Sequence, residues 1–498
     1  MEARAIKMQH RTDLTFHHAM AEISIKLLIN KEQKQVVFAE AGSDFIDVLF
    51  SFLTLPLGSI VQLLGKQSSL GSLDSLYKSV EQLDVKHMQT KACKEMLLKP
   101  RSAAAKICED LKIKNIHEAN PRTSYICNEG DCSTQSTCYC TYVTKAQCSR
   151  CGKLMDKALS WPKDTIEKRG VFVNDRADFI ITDNLWVMPI SVMTGFSVLE
   201  KLQINDASML EERVINVGNE EALNLLRRSL ESKRALTEFF FPDVCVEQSV
   251  KCFPVIKEDI DGNEAEHKFN VKMILNKKNN SVLSVEVGGD FLNQLLSFLA
   301  FPLGSVIELL RDHISSDWCI SNLYSSAESL GLEWFKSKEC KNMLVFPQLA
   351  SYYGCEKQML KLVEMPSAKW TCSASCIKCY VDGWYCFKPT PCKHGLRKAE
   401  VIEQNPKLQN GGSDSGGSFV EDSKRFMIAD NLHISPISSI SLIITKGIDF
   451  LISDFVEKEI IVDKAKVLSL LGVMLTSNTV LTDVFVPKQK KRSRSHYM

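Results

Sequence analysis

The sequence predicts an α+β fold made of two tandem copies of one mixed domain, each with a cysteine-rich, zinc-type loop. Three observations lead there. First, residues 23–64 (ISIKLLINKEQKQVVFAEAGSDFIDVLFSFLTLPLGSIVQLL) recur as residues 269–310 (FNVKMILNKKNNSVLSVEVGGDFLNQLLSFLAFPLGSVIELL), with Asp44 and Asp290, Pro56 and Pro302, and Gly58 and Gly304 all 246 apart. Second, each copy mixes alternating and helical apolar patterns without a regular strand–helix rhythm, which favours α+β over a doubly wound sheet. Third, eleven of the 18 cysteines fall in two short windows at equivalent points of the copies. A unit of half the chain is too long for a solenoid repeat of roughly 20–50 residues. The expected layout is a first copy over 1–246, a second over 247–487 and a basic tail over 488–498.

Each copy opens with a hairpin: Ile25, Leu27 and Ile29 alternate, as do Val36 and Phe38, across the turn Asn30-Lys31-Glu32-Gln33. Gly42-Ser43-Asp44 supplies a bend and an N-cap for an apolar helix through Leu53. Pro56 and Gly58 break that helix, and a second follows to about Leu64. Asp178 to Val187 reads as a strand with Pro189 opening a turn, Glu212 to Val217 as another strand, and Glu220 to Leu230 as a helix. Further landmarks repeat in order: CKEML at Cys93 and CKNML at Cys340, FIITDNLWVMPIS at Phe179 and FMIADNLHISPIS at Phe426, LTEFFFP ending at Pro242 and LTDVFVP ending at Pro487.

With 45% hydrophobic and 24% charged residues, the 498-residue chain has the composition of a globular protein. Its net charge of +1 gives no global source of attraction to nucleic acid or an anionic membrane. The N-terminus lacks the apolar core of a secretory signal. The longest apolar stretches, Phe45 to Leu57 and Ile434 to Ile452, are interrupted by Asp47 and by Lys446 and Asp449, and read as buried helices rather than membrane spans. Cysteines without an export signal point to reduced thiols or metal ligands in a cytoplasmic protein. The tail Pro487-Lys-Gln-Lys-Lys-Arg-Ser-Arg-Ser-His is a candidate nuclear-import signal, and residues 409–418 (QNGGSDSGGS) are a flexible linker.

The segments KLLINKEQKQVVFAEAGSDFIDVLFSFLTLPLGSI and FIITDNLWVMPIS, with their second copies, resemble a plant family catalogued as domain of unknown function 674. The likeness covers most of the chain. It implies a plant origin and a duplicated architecture, and it brings no activity, substrate or catalytic residue.

Chemistry concentrates in the cysteine windows. Cys127 and Cys132 form C-x4-C, and fifteen residues later Cys148 and Cys151 form C-x2-C followed by Gly152. Two spaced pairs of thiolates suit tetrahedral Zn²⁺, and the glycine suits a tight turn that aims backbone N–H groups at sulfur. The second loop, over 372–395, offers Cys372, Cys376, Cys392 and His394, with His394 and Gly395 each 243 beyond Cys151 and Gly152. Imidazole is also a zinc ligand, so this is a candidate second site. Cys138, Cys140, Cys379 and Cys386 are either spare or substitutes for these ligands. The zinc is expected to be structural, because sulfur-rich sites are normally closed and no H-E-x-x-H base is present.

Other candidates favour structural roles. Cys93 and Cys340 read as buried helix cysteines, Asp183-Asn184 and Asp430-Asn431 as turn residues bonding to backbone, and Gly42-Ser43-Asp44 as a cap without phosphate-loop spacing. None of the ten histidines is matched between copies. The favoured reading is a non-enzymatic protein that acts through a protein partner. A second is an enzyme with its site in the cleft between the copies, lined by polar residues of both. A third is nucleic-acid binding through loop aromatics and cations such as Tyr125, Tyr139, Tyr142, Lys145 and Arg150.

Overall fold

The structure is a computed structural model and describes residues 21–114, 120–127, 132, 137–161, 170–243, 268–313, 318–355, 357–372, 399–408, 417–437 and 452–486. The strands of the first copy are β1 (Ile23–Asn30), β2 (Gln35–Gly42), β3 (Thr123–Cys127), β4 (Thr137–Thr141), β5 (Met155–Ser160), β6 (Asp178–Thr182), β7 (Val187–Pro189) and β8 (Leu210–Val217). Those of the second are β9 (Phe269–Asn276), β10 (Ser281–Gly288), β11 (Lys369–Cys372), β12 (Ala399–Glu403), β13 (Arg425–Ala429), β14 (Ile434–Pro436) and β15 (Phe455–Val462).

Two five-stranded antiparallel sheets repeat one plan, β7-β6-β2-β1-β8 and β14-β13-β10-β9-β15. The alternation read from the sequence is the cause: Ile23, Ile25, Leu27 and Ile29 are buried while Ser24 and Lys26 are exposed. Even an irregularity recurs. The first hairpin skips Val37 opposite Leu28 and Ile29, and the second skips Leu283 between Val282 and Ser284.

The third sheet is shared. Its order is β11-β12-β4-β3-β5, and the copies meet at the parallel pair β12–β4, where Val401 lies beside Cys138.

A single continuous apolar core also runs through both copies. Helix Leu73–Gln82 of the first reaches across to the second: the Ser79 hydroxyl oxygen accepts the Ile434 N–H at 2.9 Å and Ser72 donates to the Ser477 carbonyl at 2.7 Å. Helix Cys319–Ser329 of the second copy reciprocates. The Ser326 oxygen accepts the Val187 N–H at 2.9 Å and the Trp318 indole donates to the Leu230 carbonyl at 2.7 Å. Each copy thus sets a helix against the edge strand of the other's sheet. Between them Pro56 and Pro302 face each other, with Leu57 N–H donating to the Phe301 carbonyl at 3.0 Å and Leu303 N–H to the Leu55 carbonyl at 2.9 Å.

Several expectations are corrected in detail. Pro56 does end the preceding run, which closes as helix Ser43–Ser51 and the 3-10 turn Phe52–Thr54. Gly58, however, sits inside helix Leu57–Leu63, where a Cβ would lie 3.0 Å from the Leu299 carbonyl oxygen and 3.1 Å from that of Leu97. Gly304 has the same role, with the Leu344 and Leu53 carbonyl oxygens at 2.8 and 3.1 Å. These glycines let the backbones of the two copies approach; they do not break a helix. The cap of helix Ser43–Ser51 is Gly42, with no side-chain cap bond, and Asp44 instead pairs with Lys112 at 3.5 Å. Asp178 to Val187 is the tight hairpin β6–β7, closed by Thr182 N–H donating to the Trp186 carbonyl at 2.9 Å. Ile434 opens a strand, and residues 438–451 of that apolar stretch lie outside the described residues. Among the described residues no helix is long and apolar enough to cross a membrane.

Candidate metal centre

The first cysteine window is built on the shared sheet. β3 ends at Cys127, where a register shift sets Met155 of β5 opposite it. Cys148 and Cys151 lie on the turn leading into β5. Met155 N–H donates to the Ala146 carbonyl at 2.9 Å, and Cys148 N–H to that of Lys153 at 2.8 Å. Gly152, at φ +72°, donates to the Cys148 carbonyl at 2.8 Å. A side chain would strain that left-handed backbone, so the glycine of C-x2-C-G has the conformational role the motif predicts. Past the bend, the Lys153 N–H donates to the Cys151 sulfur.

The four sulfurs of Cys127, Cys132, Cys148 and Cys151 all lie within 4.8 Å of one another, with Cys127 and Cys151 at 3.6 Å. Zinc–sulfur bonds of about 2.3 Å in a tetrahedron put sulfurs about 3.8 Å apart, so the group can hold a metal ion with small adjustment. Only cysteines form this group among the described residues, and three are buried while Cys151 is exposed. The Lys153 N–H and the neighbouring thiols lower the Cys151 thiol to about 7. Burial and the surrounding sulfurs push Cys132 up. A cation is what allows all four sulfurs to be thiolates together.

The second copy grips this turn. Gln404, just beyond β12, accepts the Ser149 N–H at 3.1 Å and donates its amide to the Gln147 carbonyl at 2.6 Å. Its own N–H donates to the Cys140 carbonyl at 2.8 Å. Arg150 donates to the Cys132 carbonyl at 3.1 Å and lies 5.0 Å from the Tyr139 ring. Nothing in residue spacing marks Gln404, because its role arises only where the copies meet.

Cys138 and Cys140 are not part of the sulfur group. They are buried with Ile126 and Val401 in the core of the shared sheet. Cys372 ends β11 opposite Ala399, as Cys127 ends β3 opposite Met155. Its side chain lies outside the described residues, as do Cys376, Cys379, Cys386, Cys392 and His394.

The matched pairs have structural partners. The Asp183 carboxylate accepts from the Thr237 backbone N–H and hydroxyl, each at 2.7 Å, and from Arg234 at 3.2 Å. Asp430 accepts the equivalent pair from Thr482 at 2.8 and 2.7 Å. Cys93 is buried in helix Lys91–Leu98, where burial raises its thiol, and Cys340 is half-buried in helix Lys338–Val345. A carboxylate that the motifs left aside is better placed. Asp47 is buried and accepts three backbone N–H groups, from Val171 at 2.6 Å, Phe172 at 2.7 Å and Val173 at 2.9 Å. Burial still raises its carboxyl to about 6.

Fold and site define a duplicated α+β protein with a four-cysteine turn at the junction of its copies. The chain belongs to the family described as protein of unknown function (DUF674), which matches residues 19–443 and, overlapping, 265–498. No curated protein and no solved structure matches it.

Proposed function

We propose that the protein is a non-enzymatic interaction scaffold with a structural Zn²⁺ held by Cys127, Cys132, Cys148 and Cys151. The observation that carries this reading is the convergence of four sulfurs within 4.8 Å. Soft thiolates select zinc over the oxygen-loving Mg²⁺ and Ca²⁺, and four of them fill a tetrahedral ion, leaving no position for substrate. Because Gln404 holds the same turn, the ion would brace the shared sheet and, with it, the junction of the copies. A protein partner is supported by the exposed apolar side chains Val192, Met193 and Phe196 on helix Val192–Lys201, with Ile190 beside them.

The nucleic-acid reading has weaker support. Stacking platforms need open rings, yet Arg101 covers Tyr142 at 3.6 Å, Arg150 lies over Tyr139, and Lys145 pairs with Glu95. One feature favours the cleft-enzyme reading, a recess between the copies lined by Lys106 and Glu403.

Elemental analysis of the purified chain beside a Cys148→Ser, Cys151→Ser variant tests the zinc. The expected result is near two zinc ions per chain if both windows are loaded, or one if only the first is, with one ion fewer in the variant. A folded, monodisperse sample without zinc overturns the reading.

A further inference from the structure

Apart from the sulfur group, a cavity of about 740 Å³ lies between the first copy's helices Leu57–Leu63 and Lys91–Leu98 and the shared sheet. That volume is within the roughly 300–1,000 Å³ usual for small-molecule sites. Tyr125 of β3 and Tyr142 beyond β4 line it, together with Lys99, Arg101 and, from the second copy, Tyr353. A smaller recess of about 80 Å³ shares Arg101, Tyr142 and Tyr353 with it and extends to Lys106 and the second copy's Glu403.

Among the described residues of the lining, three cations, Lys99, Arg101 and Lys106, stand with two carboxylates: Glu95, paired with Lys145, and Glu403, which faces Arg101 and Lys106. Burial and the neighbouring Arg101 hold the Lys106 ammonium below its usual range, as expected where cations crowd a half-buried space. The Arg101 guanidinium carbon lies 3.6 Å from the centre of the Tyr142 ring, and the group donates to the Pro121 carbonyl. A fork fixed in this way is pre-organised for the paired oxygens of a carboxylate or phosphate.

The shared frame does not require these cations. Ser102 bridges Leu349 across the copies, 247 residues apart, and Ser59 and Ser305 donate to the Pro100 and Pro347 carbonyls in the same way. In that register Arg101 corresponds to Gln348 and Lys106 to Tyr353. The second copy forms the same corner without either charge.

We propose that this cavity binds a small organic anion, a carboxylate or phosphate seated against Arg101 and carried on a ring that packs against Tyr125 and Tyr353. The test uses full-length protein with benzoate, phenyl phosphate, inorganic phosphate and benzyl alcohol, followed by saturation-transfer NMR and calorimetry. At least one ring-bearing anion should bind saturably at about millimolar Kd or tighter, while benzyl alcohol should not. Which anion binds separates a carboxylate ligand from a phosphate ligand. Arg101→Lys should weaken that binding about tenfold, because lysine keeps the charge and loses the stacked fork. Lys99→Glu, a reversal at an exposed position that leaves the fold alone, should weaken it about threefold or more at low salt, less at high salt. The proposal is overturned if neither ring anion saturates, if inorganic phosphate binds as well as phenyl phosphate, if benzyl alcohol binds equally, or if Lys99→Glu binds like the wild type.

Discussion

The two copies agree where they hold each other and differ where a single copy has a task. Ser79 and Ser326 cap the facing edge strands alike, and Lys94 and Lys341 each donate to two carbonyls at the end of the preceding helix, Glu81 and Leu83 or Glu328 and Leu330. Tyr77 and Tyr324 donate to the Leu98 and Val345 carbonyls. By contrast, Asp47 stands against Asn293 and Arg101 against Gln348. The serine bonds satisfy backbone groups of the facing copy, which neither copy can complete alone, while the lysine and tyrosine bonds fasten each exchanged helix within its own copy. The differing ones sit beneath a loop or beside the cavity, where the fold tolerates several answers.

The largest effect is expected from breaking the common part. Gly304→Ala puts a methyl 2.8 Å from the Leu344 carbonyl oxygen and near the Leu53 carbonyl of the other copy. Backbone on both sides cannot move aside cheaply, so the loss should be about 2–3 kcal/mol. Gly58→Ala, with its nearest backbone oxygen at 3.0 Å, should cost somewhat less. Denaturant unfolding measures both. Equal stability to wild type in both variants would mean the copies do not approach closely at these glycines.

The next prediction moves a difference from one copy to the other. The Asp47 carboxyl sits near 6 in the fold against an ordinary 3.8, so the folded state holds its proton more tightly than the unfolded one. Its contribution is therefore fully present below about pH 4 and lost as pH rises through 6, by on the order of 2–3 kcal/mol. Asn293 occupies the matching place, accepting from Phe419 and Val420 with one oxygen while its amide donates to the Val420 carbonyl. Asp47→Asn should remove the pH slope between 4 and 6, although the amide no longer suits the Val171 N–H and lowers stability at acid pH. Relative to wild type, the variant should fare better at pH 8 than at pH 4. An unchanged slope in unfolding curves across that range would assign the titration to another group.

What could be read in the sequence was whatever is local. The sulfur group was legible because its ligands come as two short-spaced pairs with a glycine at the bend, a pattern set by turn geometry. The hairpins were legible from period-two burial. The exchange of helices was not, since a repeat has the same sequence whether each copy packs on itself or on its neighbour. Gly58 was misread for that reason: its constraint is a carbonyl 241 residues away, at Leu299. Asp47 left a signal, a lone carboxyl in the apolar run from Phe45 to Leu57, but its three donors lie more than 120 residues on.

The smallest predicted effect asks whether the candidate metal centre belongs to one copy or to both. All four of its cysteines come from the first copy, while Gln404, which holds the turn through the Ser149 N–H and the Gln147 carbonyl, comes from the second. Gln404→Ala removes both contacts and leaves the four sulfurs in place. Two lost hydrogen bonds at a half-exposed turn should cost about 1–2 kcal/mol, and loosening a supporting shell should weaken metal binding about tenfold or more. Zinc release to a competing chelator reads the second quantity separately from unfolding. A faster release with little change in the thermal midpoint would show that the second copy holds the turn in shape for the ion. Release at the wild-type rate would confine the centre to the first copy, with Gln404 serving only the sheet that the copies share.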